Sequence, residues 1–191
     1  NVSDFNSYVA DAYLKTVLDT IEIAKELDVK IINMHLSKGV YFTLPDKKVY
    51  LFEQYKEIYL KSITSFRNTV ENQLKNTDIK ICIENTNGYT DFQIEAIDIL
   101  LQSPVFALTF DIGHSHCVGN IDEIFIIERE NKLFHLHLHD GQDKKDHLTL
   151  GTGDIDIERY IILAKKHNCT VVLETKTVKA LKESVKWLNN N

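Results

Sequence analysis

The sequence predicts an α/β protein built on a parallel sheet, and three observations carry that prediction. Five short apolar runs alternate with five or six helical patterns, the order expected of successive βα units. The 191 residues hold only seven glycines and two prolines, and 43% are hydrophobic against 26% charged, a balance suited to a packed core. Each apolar run also ends at or next to an ionisable residue of the same strand parity, which would give the sheet one polar rim.

The elements follow in chain order. Over residues 9–27, Tyr13, Val17, Ile21, Ile23 and Ala24 recur near a helical period, and a strand at 31–35 follows. Residues 37–50, with Gly39 and Pro45, read as a loop. Tyr55, Ile58, Tyr59, Ile63, Phe66, Val70 and Leu74 recur every three or four residues, so 51–75 reads as one long amphipathic helix before a strand at 79–84. Thr90-Asp91-Phe92-Gln93 has the form of a capping box and opens a helix to Leu101, ahead of a strand at 106–111. Asn120 with Glu123 repeats that form for a short helix to Arg129. A strand at 133–139 leads into a long loop, 140–153. Asp154 or Asp156 then starts a helix ending near His167, and a strand at 170–174 and a helix at 178–188 complete the chain. No repeat, linker or low-complexity stretch interrupts the pattern, so residues 1–191 read as a single domain.

Charge and cysteine usage narrow the function classes. With 22 Lys and Arg against 28 Asp and Glu, the net charge is −6, so no global positive field attracts a phosphate backbone and nucleic acid is disfavoured as a partner. Cys82, Cys117 and Cys169 are odd in number and lack CxxC spacing, which suits a reducing compartment and makes the cytoplasm the expected location. No apolar run approaches the ~20 residues of a membrane helix, and residues 1–4 lack the features of a signal peptide. The chain does not begin with methionine, which raises the expectation of trimming or truncation at this end.

Strand parity carries the functional argument. One alternate set is apolar and predicted to pack under helices: Ile32 and Met34; Ile79, Ile81 and Ile83; Leu108 and Phe110; Phe134, Leu136 and Leu138; Val171 and Leu173. The other set ends in His35, Glu84, Asp111, His137 with His139, and Glu174. The carboxyl ends of parallel strands form the functional face of such sheets, and in a barrel they ring its mouth. A single acid after a strand is ordinarily a cap or loop residue; five polar ends at matched parity are a constellation. Gathering two glutamates, an aspartate and histidines in one concave site is costly, because like charges repel and each ion loses its water. A divalent cation resolves that conflict.

The remaining histidines divide by position. His135, deepest on its strand, reads as a satisfied interior histidine, whereas His137 aligns with the rim. His114 follows Asp111 by three residues, so one turn brings imidazole and carboxylate to the same site. His116 reads as a loop residue and His167 as water-facing. His147 lies between Asp146 and Leu148 in the long loop, either as a surface imidazole or as a lid residue closing over ligand.

The motifs Ile83-Glu84-Asn85-Thr86, Phe110-Asp111-Ile112-Gly113-His114, Leu136-His137-Leu138-His139-Asp140, His147 through Leu150-Gly151-Thr152-Gly153-Asp154, and Leu173-Glu174-Thr175 occur in this order. Together they resemble the xylose isomerase-like TIM-barrel superfamily of sugar and sugar-phosphate isomerases and epimerases, which also holds the endonuclease IV class of AP endonucleases. The resemblance implies a (β/α)8 TIM-barrel type of fold, present here as a partial barrel of about five parallel strands with flanking helices. These would be units four to eight, with three N-terminal βα units missing. Open sheet edges would then favour self-association.

By that resemblance Glu84, Asp111, His137 and Glu174 are the metal ligands, and Glu84, Glu174 and His114 the catalytic groups. His35, His114, His147 and Asp140 become candidates for substrate contact or a second metal. Three carboxylates and one imidazole favour Mn²⁺ or Mg²⁺ and also accept Co²⁺ or Zn²⁺. The implied reaction is proton transfer on a sugar or sugar phosphate through an enediolate. The endonuclease branch has further ligands at the positions of His35, His114 and His147, but an aspartate where this chain has Lys145, so phosphodiester hydrolysis is the second expectation. A catalytically degenerate metal-binding module is the third.

Overall fold

A computed structural model describes residues 1–190. The described residues form two compact units. One comprises residues 1–83 and 90–107, and the other residues 84–89 and those from 108 onward.

The chain runs through α1 (Ser7–Glu26), β1 (Ile31–His35), β2 (Tyr41–Thr43), β3 (Lys48–Tyr50), α2 (Leu51–Gln54), α3 (Lys56–Gln73), β4 (Lys80–Glu84) and α4 (Asp91–Leu101). It continues through β5 (Phe106–Asp111), α5 (Ile112–Cys117), α6 (Ile121–Glu128), β6 (Leu133–Leu138), β7 (Asp140–Gln142), β8 (Lys145–Leu148), α7 (Ile157–Lys166), β9 (Thr170–Leu173) and α8 (Val178–Asn190). Five parallel strands pair in the order β1–β4–β5–β6–β9, the pattern of a partial TIM barrel with flanking helices. No helix among the described residues is long and apolar enough to cross a membrane.

In the first unit, α3 buries Tyr59, Ile63, Phe66 and Val70, a spacing of four, three and four that turns one stripe inward against α1 and α4. Each such side chain contributes on the order of 1.5–3 kcal/mol by leaving water. The expected capping box on α4 is present, with Gln93 accepting the Thr90 N–H at 3.0 Å, and the Gln93 amide donates to the Leu36 carbonyl at 2.6 Å. In the second unit Leu108, Phe110, Leu136 and Leu138 are at most 1% exposed, and the Phe110 ring meets Tyr160 of α7 edge-on at 5.6 Å.

Several expectations need correction. Residues 37–50 are not simply loop, because β2 and β3 pair as a hairpin. The stretch 51–75 is two helices, broken at Tyr55, whose φ of −116° and ψ of 43° leave the helical region. The loop 140–153 contains a second hairpin, β7–β8, and α5 fills a segment assigned no element. Asn120 does not form a capping box: it sits in the left-handed region at φ 60° and its side chain makes no cap bond. The apolar parity set is not uniformly covered either, since Phe134 is 37% and Val171 43% exposed.

Candidate metal centre

Main-chain pairing builds the site in the second unit. β5 and β6 run parallel with Asp111 opposite His137, and β6 and β9 pair with Leu138 opposite Leu173. Glu174 follows β9 directly, its N–H donating to the Leu138 carbonyl at 3.2 Å. Asn85, one residue beyond Glu84, grips the Asp111 backbone at two points. It accepts the Asp111 N–H at 2.8 Å and donates to its carbonyl at 2.9 Å. These ties bring Glu84, Asp111, His137 and Glu174 together, each offering one ligand atom within 4.8 Å of the others. Atoms sharing one ion at about 2.0–2.6 Å lie within roughly 4–5 Å of each other, so the group has the span of a coordination shell.

The electrostatics of the group call for positive charge. Glu84 is 3% exposed and Asp111 fully buried. His137 Nδ1 lies 2.8 Å from Glu174 Oε2, 3.2 Å from Glu84 Oε1 and 3.6 Å from Asp111 Oδ2. Even so, Nδ1 and Glu174 Oε2 are both buried without a hydrogen-bond partner. Burial alone would lower the His137 pKa, but the pull of the adjacent Asp111, Glu84 and Glu174 carboxylates outweighs it and raises it to about 10. Burial pushes the Asp111 carboxyl up, yet His137 and His139 hold it well below the usual carboxylate range.

His114 completes the wall. Asp111 caps α5 by accepting the His114 N–H at 2.7 Å, and the turn returns the imidazole to 3.4 Å from Asp111 Oδ2 and 3.5 Å from Glu84 Oε1. Hydrogen bonding to Glu84, chiefly, raises the His114 pKa to about 9 against the opposing effect of burial.

A second group joins His114, His139 and His147, again within 4.8 Å. His139 is fully buried, with Nε2 at 3.0 and 3.1 Å from the two Asp111 oxygens. The His147 ring stacks on it at 4.2 Å and 3°. Asp146 lies 2.8 Å from His147 Nδ1 and 2.9 Å from Lys176 Nζ; burial opposes its ionisation, but these two partners hold its pKa to about 2.

The other expected residues are placed differently. The Asp140 carboxylate accepts the N–H groups of Gly141 (2.8 Å), Gly153 (2.8 Å) and Ile155 (3.2 Å); it is committed to the loop and lies outside both groups. His35 ends β1 in the first unit, exposed to solvent. His135 Nδ1 lies 2.6 Å from Thr170 Oγ1, and burial with the neighbouring His137 lowers its pKa. His116 is helical in α5 rather than in a loop, and His167 is not water-facing but caps α7 with Nε2 3.3 Å from Glu130. Sequence reasoning missed the roles of Asn85 and Asp146. Only the adjacency of Asn85 to Glu84 and of Asp146 to His147 could have flagged them.

Comparison with known proteins gives the family and the fold. The family model for a xylose isomerase-like TIM barrel matches residues 1–191. An uncharacterised protein of Methanocaldococcus jannaschii is 28% identical over 177 residues, covering 91% of this chain and 65% of that protein. The chain spans only 57–65% of the length of the curated relatives it matches. Among solved structures, a D-tagatose 3-epimerase-like protein aligns over 100% of this chain and 72% of its own, with 24% identity and a TM-score of 0.77. The IOLI protein with a binding zinc atom aligns over 98% and 71%, with 16% identity and a TM-score of 0.72. At these identities the structural likeness establishes the fold.

Proposed function

The chain belongs to the xylose isomerase-like TIM barrel family, and from that premise we propose that it forms the metal-binding part of a divalent-metal-dependent sugar or sugar-phosphate isomerase or epimerase. The observation that carries this reading is the cluster of Glu84, Asp111, His137 and Glu174, with two buried polar atoms, His137 Nδ1 and Glu174 Oε2, left unpartnered. Those four residues would hold the ion, and their three carboxylates favour Mn²⁺ or Mg²⁺ while accepting Co²⁺ or Zn²⁺. Bound there, a divalent cation supplies the positive charge that stabilises negative charge developing on substrate oxygens.

The chain's own residues then divide the proton transfer. Glu174, with its side chain 39% exposed, faces approaching substrate and takes a proton from the carbon beside the carbonyl; Glu84, 3% exposed, acts from the buried side. His114, placed beside Asp111 and Glu84 at the edge of the cluster, donates a hydrogen bond to a substrate oxygen. Replacing either Glu84 or Glu174 by Gln keeps the side-chain volume but removes the base. In the whole protein each variant is expected to lower turnover at saturating Mn²⁺ at least ~10²-fold, as for a lost general base. Near wild-type rates in both would end the assignment.

A second reading, metal-dependent phosphodiester cleavage at abasic sites, draws on the His114, His139 and His147 group. Lys145 in place of an aspartate and the net charge of −6 count against it. Cleavage of abasic DNA without sugar isomerisation would establish it over the first.

A further inference from the structure

We propose that His139 is a positioning residue rather than a metal ligand, fixed as its Nε2–H tautomer so that it aims Asp111 at the metal site; the inference rests on the metal-binding reading above. The tautomer follows from the ring's two partners. Nδ1 lies 2.8 Å from the backbone nitrogen of His147, which can only donate, so this ring nitrogen must accept. The ring's proton is therefore on Nε2, where it donates to the Asp111 carboxylate at 3.0 and 3.1 Å. The Asp140 carbonyl is 3.4 Å from Nδ1, too far to compete with the His147 N–H for the opposite tautomer. With one nitrogen accepting and the other protonated, His139 has no lone pair to give a cation. The three-histidine group is then a two-histidine group with a support behind it.

The support acts on Asp111. Oδ1 accepts the His114 backbone N–H at 2.7 Å, the His139 N–H spans Oδ1 and Oδ2 at 3.0 and 3.1 Å, and Oδ2 is the oxygen turned toward His114 and His137. The imidazole, together with the His114 N–H on Oδ1, thus holds the carboxylate in one orientation toward the ion and removes the rotation that would otherwise be lost on binding. The same ring holds the hairpin. Its bond to the His147 N–H pins a residue in the left-handed region at φ 54°, uncommon for a non-glycine residue, and the His147 ring lies flat on it at 4.2 Å. Gly113 makes the arrangement sterically feasible, because a Cβ there would overlap the His139 ring at Cε1 and Nδ1. His139 therefore links the strand end that carries a ligand to the hairpin that carries His147.

Two substitutions separate these bonds. In His139→Gln the amide nitrogen replaces Nε2 and keeps the donor to Asp111. In His139→Asn the amide oxygen replaces Nδ1 and keeps the acceptor for His147, while Asp111 loses its donor. Mn²⁺ titration calorimetry is expected to give His139→Gln an affinity within about threefold of wild type. His139→Asn should be weaker by the ~10–100-fold typical of a lost outer-shell partner. A residue needed only for packing would give no such rescue by glutamine. Equal weakening in both variants, or wild-type affinity in His139→Asn, overturns the inference. Nitrogen-15 NMR of the metal-free wild-type chain tests it without any variant: a protonated Nδ1 on His139 overturns it, and a protonated Nε2 with bare Nδ1 supports it. A wild-type chain that binds no Mn²⁺ overturns the metal reading itself, a result distinct from either failure.

Discussion

His137 gathers three carboxylates around one ring nitrogen, and the consequence is a ring that holds its proton well above the ordinary histidine range. Its pKa of about 10, and that of His114 near 9, stand above the ordinary histidine value of 6.5. Groups raised in this way contribute stability that is complete below pH 6.5 and is lost as pH climbs through 9 and 10. Asp111, lowered, acts in the opposite sense: its contribution is present above 3.8 and is lost as acid protonates it. The metal-free chain is therefore expected to lose thermal stability between pH 6.5 and 9, by roughly 2–4 °C for each kcal/mol withdrawn. On the proposed metal reading, saturating Mn²⁺ would replace the proton on His137 and should flatten that decline. Melting curves at several pH values, with and without Mn²⁺, check this; a metal-free melting temperature that rises over the same interval contradicts it.

At the level of elements, the site depends on a six-residue helix and a hairpin that have little stability of their own. α5 starts on the Asp111 cap and passes Gly113 directly beneath the His139 ring. The β7–β8 hairpin, with Asp140 opposite Leu148, is held at its base by three N–H groups donating to the Asp140 carboxylate. Gly113→Ala places a methyl group where the imidazole now lies, so either the helix or the ring must move. The expected cost is about 1–3 kcal/mol of stability, the range for overpacking a filled interior, together with weaker Mn²⁺ binding. Urea unfolding and metal titration of this variant would check both effects, and wild-type values in each would show that the ring yields without consequence. Gly151, at φ 78° and against the Trp187 indole, imposes a comparable limit on the loop before α7.

For the molecule as a whole, the outer strand β9 presents apolar residues to water. Val171 is 43% and Val172 46% exposed, and α8 adds Val178 at 70%, Leu181 at 40% and Val185 at 42%. β9 is paired on one side only among the described residues, which leaves backbone groups free to bond another chain. Apolar area beside an unpaired edge predicts self-association. Sedimentation velocity on the purified chain at about 50–100 µM, a range in which exposed edges associate, should show species heavier than the 22.0 kDa monomer, reduced by Val172→Lys. A monomer throughout that range would mean the edge is already protected.

Much of the fold could be read from the sequence because hydrophobic periodicity is local. The five strands fall within a residue of the runs that predict them, and the alternation that buries Ile81, Ile83, Leu108, Phe110, Leu136 and Leu138 also sends Glu84, Asp111 and His137 to the other face. The short hairpins were not legible, since three-residue strands such as β2 and β7 carry too little pattern to register. Nor was the role of His139, which in sequence is one more alternate histidine beyond His135 and His137. Strand parity determined which side chains share a face. Tertiary structure alone decided which ring nitrogen meets which partner, because a hydrogen bond depends on angles set by α5 and the β7–β8 hairpin, and these segments meet β6 only when the chain is folded.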